Sequence, residues 1–171
     1  MRRTMVVLAA MALVACGEEG PTQPAEGGLD FEVVDSGTAL ADGDFESGLL
    51  VARTSAEGEA VAERSPVAVT GERFRAWEGY DDSALIGAFV IELPDPGHTL
   101  EVQEVEVTGD LLRVTGRINS RGGVSAQVIA NAWALLSLDS SHVRDVTRCE
   151  LQIEGRPPAP ATACQDLASL K

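Results

Sequence analysis

Ser140, Ser141, His142 and Asp145 bring a hydroxyl nucleophile, a general base and an orienting carboxylate within six consecutive residues. Those are the residue types of a hydrolytic triad. Their closeness argues against that chemistry, because neighbours in sequence rarely converge on one point. Nothing around the serines resembles a nucleophile elbow either. The stretch reads as a polar turn between strands; a hydrolase with a cryptic site built from His142, Asp145 and a serine is the alternative. The other histidine, His98, stands in a Pro/Gly turn, where an exposed polar residue needs no further explanation. Asp42, Asp44 and Glu46 could offer oxygen ligands to calcium, but they lack the twelve-residue loop and its terminal glutamate. They read as a solvated turn. Glu101, Glu104 and Glu106 read as the wet side of a strand, and Asp81-Asp82 as a turn or cap. No catalytic residue, metal or cofactor is expected.

Cysteine says more. Three are present: Cys16, Cys149 and Cys164. Met1-Arg2-Arg3 supplies a positive start, and the apolar run from Met5 to Val14 is about 10 residues, short of the roughly 20 that span a bilayer. It fits the core of a signal peptide. Leu13-Val14-Ala15-Cys16 resembles the bacterial lipobox, in which the cysteine thiol receives a diacylglyceryl group and the chain is cut before it. By that resemblance residues 1–15 are removed and Cys16 is the acylated N-terminus. Arg2-Arg3 lacks the residues that follow the pair in twin-arginine export. One acyl chain anchors only marginally, so stable attachment implies at least two on Cys16. Gly17 follows, not the aspartate that resembles an inner-membrane retention signal, which in a two-membrane bacterium favours the outer membrane facing the periplasm. Cys149 and Cys164 are even in number and in an oxidising compartment, so a disulfide between them is the default. Such a bridge stabilises by roughly 3 kcal/mol in the entropic model. A metal pair would need a nearby histidine or a second cysteine pair.

Charge narrows the partners. Removing residues 1–15 takes the net charge from −14 to −16. A polyanion of that size is repelled by nucleic acid and by anionic headgroups, leaving the lipid on Cys16 as the membrane contact. About 155 mature residues make one domain of ordinary size.

The elements that must position these residues are mostly strands. Residues 16–29 are rich in glycine, proline and glutamate and read as a flexible tether. From residue 30 to 154 a β-dominated domain is expected, an antiparallel sandwich or barrel-like sheet with one short helix. Phe31 to Asp35 and Gly48 to Arg53 are short strands. Thr54 to Arg64 is the helix: Thr54 and Glu57 have capping-box spacing, and Ser65-Pro66 ends it. A loop then carries Phe74, Trp77 and Tyr80. Ala84 to Leu93 is near-continuously apolar, as in a central strand covered on both faces. Leu100 and Val102 share one phase and Val105 and Val107 the other, which places a β-bulge near Gln103-Glu104. After a turn at Thr108-Gly109-Asp110, Leu112, Val114, Gly116 and Ile118 face inward. Residues 84–118 thus read as consecutive antiparallel strands of one sheet. Val124 to Leu138 reads as two strands or one kinked strand. Val146 to Ile153 is a last strand with Cys149, Leu151 and Ile153 on one face. Residues 155–171 form a Pro/Ala-rich tail pinned by the disulfide.

Phe89-Val-Ile-Glu-Leu-Pro-Asp-Pro-Gly-His-Thr-Leu-Glu-Val102 resembles the hallmark of the PrcB C-terminal domain family, where a strand ends in proline, then Thr-Gly-Gly-Tyr, then an alternating strand. Without gaps, Phe89, Pro94, Gly97, Leu100 and Val102 fall on the family's apolar or turn positions. Asp95, Pro96 and His98 replace the threonine, the first glycine and the tyrosine. Phe31 to Gly37, Val51 to Glu57 and Ala132 to Leu138 resemble the family's opening strand, strand into helix, and closing strand. The resemblance covers roughly residues 30–139. It implies a non-enzymatic, exported, β-rich domain in a family named for a subunit that accompanies an envelope protease. The expected function is therefore a lipid-anchored binding or accessory module whose partner is an envelope protein or protease. Trp77 and Tyr80, two large aromatics in a chain with 4% aromatic residues, are the candidate contact surface, since such rings dominate binding hot spots; the plain alternative is that one ring plugs the core edge.

One expectation can be tested at the first cysteine. In Cys16→Ser the protein should leave the membrane fraction and lose the mass of its acyl groups. Unchanged fractionation and mass would remove the anchor assignment.

Overall fold

The computed structural model describes residues 28–40, 45–94, 96–120, 128–157 and 161–164; Cys16, Asp42, Asp44 and Asp95 lie outside them. The chain folds as a two-sheet sandwich with a helical layer on one sheet. Its centre is β3 (Ser83–Leu93), whose side chains from Ala84 to Ile91 are all buried. A strand presents alternate residues to opposite faces, so an unbroken apolar run needs a cover on both. β6 (Ala130–Asp139) is equally apolar and pairs with β3 antiparallel. β1 (Glu32–Leu40) flanks β6 and β2 (Gly48–Ala52) flanks β3, both antiparallel, giving the order β1-β6-β3-β2. Ala84, Ile86, Ala88 and Val90 face one core, and Leu85, Phe89 and Ile91 face another.

The second sheet has the order β4-β5-β7-β8, with β4 His98–Thr108, β5 Leu111–Ser120, β7 Arg148–Ile153 and β8 Thr162–Ala163. β4 and β5 form a hairpin turned by Gly109 at φ 62°, a conformation that favours glycine. Their register slips between Val102 and Glu104, at the expected bulge. Cys149, Leu151 and Ile153 point into the core together with Leu112 and Val114. Two expectations are corrected here. β3 and β4 are not neighbours in one sheet: the chain crosses between sheets after Pro94, so residues 84–118 contribute one strand to the first sheet and a hairpin to the second. β7 runs parallel to β5, because the chain leaves β5, crosses the other sheet as β6 and returns in the same direction.

The helical layer is larger than one helix. α1 (Ser55–Ala62) is capped by Thr54, whose Oγ1 accepts from Glu57 N at 3.2 Å. Glu57 reaches back to Arg53 N at 2.7 Å, one residue before the cap. α2 (Ala68–Ala76) occupies the stretch expected to be a loop. Its local signals are weak: Val67 offers no side-chain cap, and only Thr70, Gly71 and Phe74 are buried. Packing makes the helix, with Phe74 buried on the first sheet and Gly71 seated so close to α1 that a Cβ there would lie 2.8 Å from the Ala62 carbonyl oxygen. α3 (Ser140–Val143) is a single turn capped by Asp139. The described part of 124–138 holds one strand, β6; Val128 and Ile129 precede it and are exposed.

The tail closes one side. Cys149 and Cys164 form a disulfide with Cα atoms 4.9 Å apart. β8 adds to β7, and Cys164 O accepts from Val51 N at 3.0 Å, so the tail joins β7 of one sheet to β2 of the other. Val114, fully buried, and Arg113, half-exposed and paired with Glu106 and Glu150, test the strand phase. Val114→Ala should destabilise by about 2 kcal/mol through lost contacts and a cavity, and Arg113→Ala by less than about 1 kcal/mol. Equal shifts in urea midpoint would mean the two faces are misassigned.

Candidate functional site on the open side of the sandwich

The residues with triad chemistry do not assemble. Ser141 and His142 are exposed on α3, and Asp145 is exposed beyond it. Asp139 is the carboxylate beside them. It accepts from Ser141 N at 2.8 Å, and the Ser141 contacts, with the nearby His142 charge, hold it below the usual carboxylate range. That is helix capping. Among the described residues no three His, Cys, Asp or Glu are grouped to hold a metal ion. His98 opens β4 opposite Ser120. Glu101, Glu104 and Glu106 lie along β4. Glu106 pairs with Arg113 at 3.6 Å, and Glu101 departs from the solvated reading, as described below.

Trp77 and Tyr80 both lie at the margin of the helix-side core, half-buried. Tyr80 donates to the Phe74 carbonyl oxygen at 2.8 Å, satisfying the last turn of α2. Its hydroxyl rests against Gly58, where a Cβ would also meet Phe74 O at 2.8 Å; the glycine inside α1 is there for this approach. Trp77 Nε1 is buried with no hydrogen-bond partner among the described residues. Each ring therefore has a packing role, whatever surface its exposed edge offers.

A different feature is built from three elements. On the side away from the tail, edge strands β1 and β4 flank a groove of about 630 Å³. Its floor is Leu100, Val102 and Ala134, its wall Phe31 and Val33, and its rim Ser36, Thr99, Asn119 and the acid Glu101; Glu32 borders it at the start of β1, where it pairs across to Ser137 on the other face of the sheet. The Arg117 guanidinium grips Glu101 at 3.0–3.2 Å, and Asn119 Nδ2 donates to the same carboxylate. The Asn119 bond first, then Arg117, hold the Glu101 carboxyl below its ordinary value, so it is ionised at neutral pH. Glu32 is exposed and makes no ion pair among the described residues. Val33 and Leu40, on the same strand, are 48% and 63% exposed. The sealed side, by contrast, has a hollow of about 230 Å³ between Ser47, Leu151 and Ile153. Chemically the groove can take an apolar group, and its one rim carboxylate, Glu101, is already held by Arg117 and Asn119. Sequence reasoning placed Phe31 in an opening strand and Glu101 on a wet face; no local signal announces that residues 31–36, 99–102 and 119 meet.

No protein-family model, no curated protein and no solved structure matches this chain.

Tyr80 allows a clean pH test. Burial first, then the charges of Glu57 and Glu59, push its phenol well above the ordinary value near 10. The folded state therefore keeps the proton where the unfolded chain loses it, and this stabilisation is complete below pH 10 and falls away above it. Tyr80 is the only tyrosine and Lys171 the only lysine, so few other side chains titrate in that window. The stability should drop between pH 9.5 and 11.5 by at most about 1.4 kcal/mol per unit. Tyr80→Phe should be flatter over the same range in urea unfolding; an equal slope would remove the assignment.

Proposed function

We propose that this protein is a non-catalytic binding module anchored to the cell envelope by lipid on Cys16, and that it accompanies an envelope protein, by resemblance a protease. The lipobox-like Leu13-Val14-Ala15-Cys16 supports the anchor, and the similarity of residues 89–102 to the PrcB C-terminal hallmark supports the accessory role. The observation that carries the binding reading is the asymmetry of the sandwich. One side is tied by a disulfide and an added strand, and the other holds a groove of about 630 Å³ beside exposed valines. Apolar surface left open next to a concave site is where partners bind. Asp139 serves as a helix cap, and Glu106 and Glu101 are held in ion pairs.

A photo-cross-linking side chain at Val33, on the groove, should capture a protein of defined mass in the native envelope. The same group at Val69, exposed on α2 at the far layer, should capture none. Equal capture at both positions, or none at Val33, would count against the reading.

A further inference from the structure

Among the described residues the two sheets have four outer strands, and three of them are short or take a main-chain bond from outside the sheet. β2 gives Val51 N to the Cys164 carbonyl oxygen, β4 accepts Leu29 N at Val105 O, and β8 is two residues long. β1 differs. It is nine residues long, and among the described residues no backbone group bonds to its outer edge. Open edges are normally blunted by charged side chains, lysine above all, by proline, by bulges or by a cover, and the charges of β1 are the acids Glu32 and Asp35. β1 holds neither lysine nor proline, and its single bulge is confined to Val33–Asp35, leaving five consecutive residues in regular register with β6.

The register sorts its side chains. Val33, Ser36, Thr38 and Leu40 pair with Leu136, Ala134, Ala132 and Ala130 and share the groove face. Glu32, Asp35 and Gly37 pair with Ser137, Leu135 and Trp133 and share the opposite one. Gly37 lies flat on the Trp133 ring, where a Cβ would come within 3.0 Å. One face of β1 is thus apolar and hydroxylic. The other is acidic, with Asp35 paired to Arg73 at 3.0 Å and Glu32 open.

From this juxtaposition we propose that β1 receives an extended segment of a protein partner as a fifth strand of the first sheet. The segment carries β-branched residues on the groove face and at least one lysine or arginine opposite Glu32. Main-chain bonds to an edge give affinity and alternate side chains give specificity, while cross-strand pairs of opposite charge favour this register. Charge selects the occupant. A second copy would bring another strongly negative chain, −14 over the full sequence and −16 without residues 1–15, with Glu32 and Asp35 of its own, whereas a basic strand meets the acid it needs. The inference rests on the binding-module reading and names its chemistry.

The test uses the full-length protein in mild detergent and two blocked ten-residue peptides, alternating valine with lysine or threonine, or with glutamate or threonine. The lysine peptide should bind at least tenfold more tightly and slow amide exchange within 32–40. In Glu32→Lys the preference should reverse. Equal affinities, an unreversed preference, or unchanged exchange in β1 would overturn the proposal. So would concentration-dependent dimerisation that protects β1 without peptide, since the edge would then belong to a second copy. Peptide binding without cross-links at Val33 in the envelope would remove the accessory role and leave the strand site standing; cross-links without peptide binding would do the reverse.

Discussion

The structure depends on the burial of β3 from both sides. Ala84 to Ile91 puts eight residues in succession out of water, and each buried aliphatic or aromatic side chain contributes about 1.5–3 kcal/mol relative to exposure. That gain exists only if both faces are covered. The sheet of β4, β5 and β7 covers one face and α1 with α2 the other. The helices owe their existence to this demand: α1 has a good cap but a glycine inside it, and α2 has neither cap nor a continuous stripe. Isolated helices of their length are marginal in water; seated on Leu85, Phe89 and Leu135 they are held by contact.

A sandwich leaves edges, and this one treats its two sides differently. On one, the tail carries a strand and a disulfide, and Cys164 serves both sheets, covalently to β7 and by a hydrogen bond to β2. Arg53 adds a second tie there, donating to the Val143 carbonyl at 2.9 Å and to that of Val146. On the other side β1 and β4 stand apart over the groove. Among the described residues the outer edge of β1 takes no main-chain bond; such an edge is a liability unless it is used, and the contrast between the two sides is what makes the open one informative.

The charged groups follow the same economy of position. On the outer face of the second sheet, Glu106, Arg113 and Glu150 form a row across β4, β5 and β7, and Asp110 takes Arg148 and Thr147 at the parallel junction. Single surface pairs contribute little to stability, but opposite charges facing each other across strands favour one register over its slipped alternatives. With twelve arginines and one lysine, the cations suit planar two-point contacts with carboxylates, as at Glu101.

Sequence alone was sufficient for what is written locally or periodically. The run at 84–93, the bulge at 103, the inward phase of Leu112 and Val114, the Thr54 cap and the pairing of two cysteines follow from alternation, capping and parity, none of which needs a distant partner. Tertiary structure decided the rest. It assigned β3 and β4 to opposite sheets, because a proline-containing connection fits a hairpin and a crossover equally well. It turned 68–76 into a helix, because the reason for that helix is Phe89 and Leu85 beneath it. It made β7 parallel to β5, since strand direction depends on where the chain has been. It gave Trp77 and Tyr80 a place at the core margin. And it built the groove from residues 31–36, 99–102 and 119, whose proximity is a property of two stacked sheets and of no single stretch of chain.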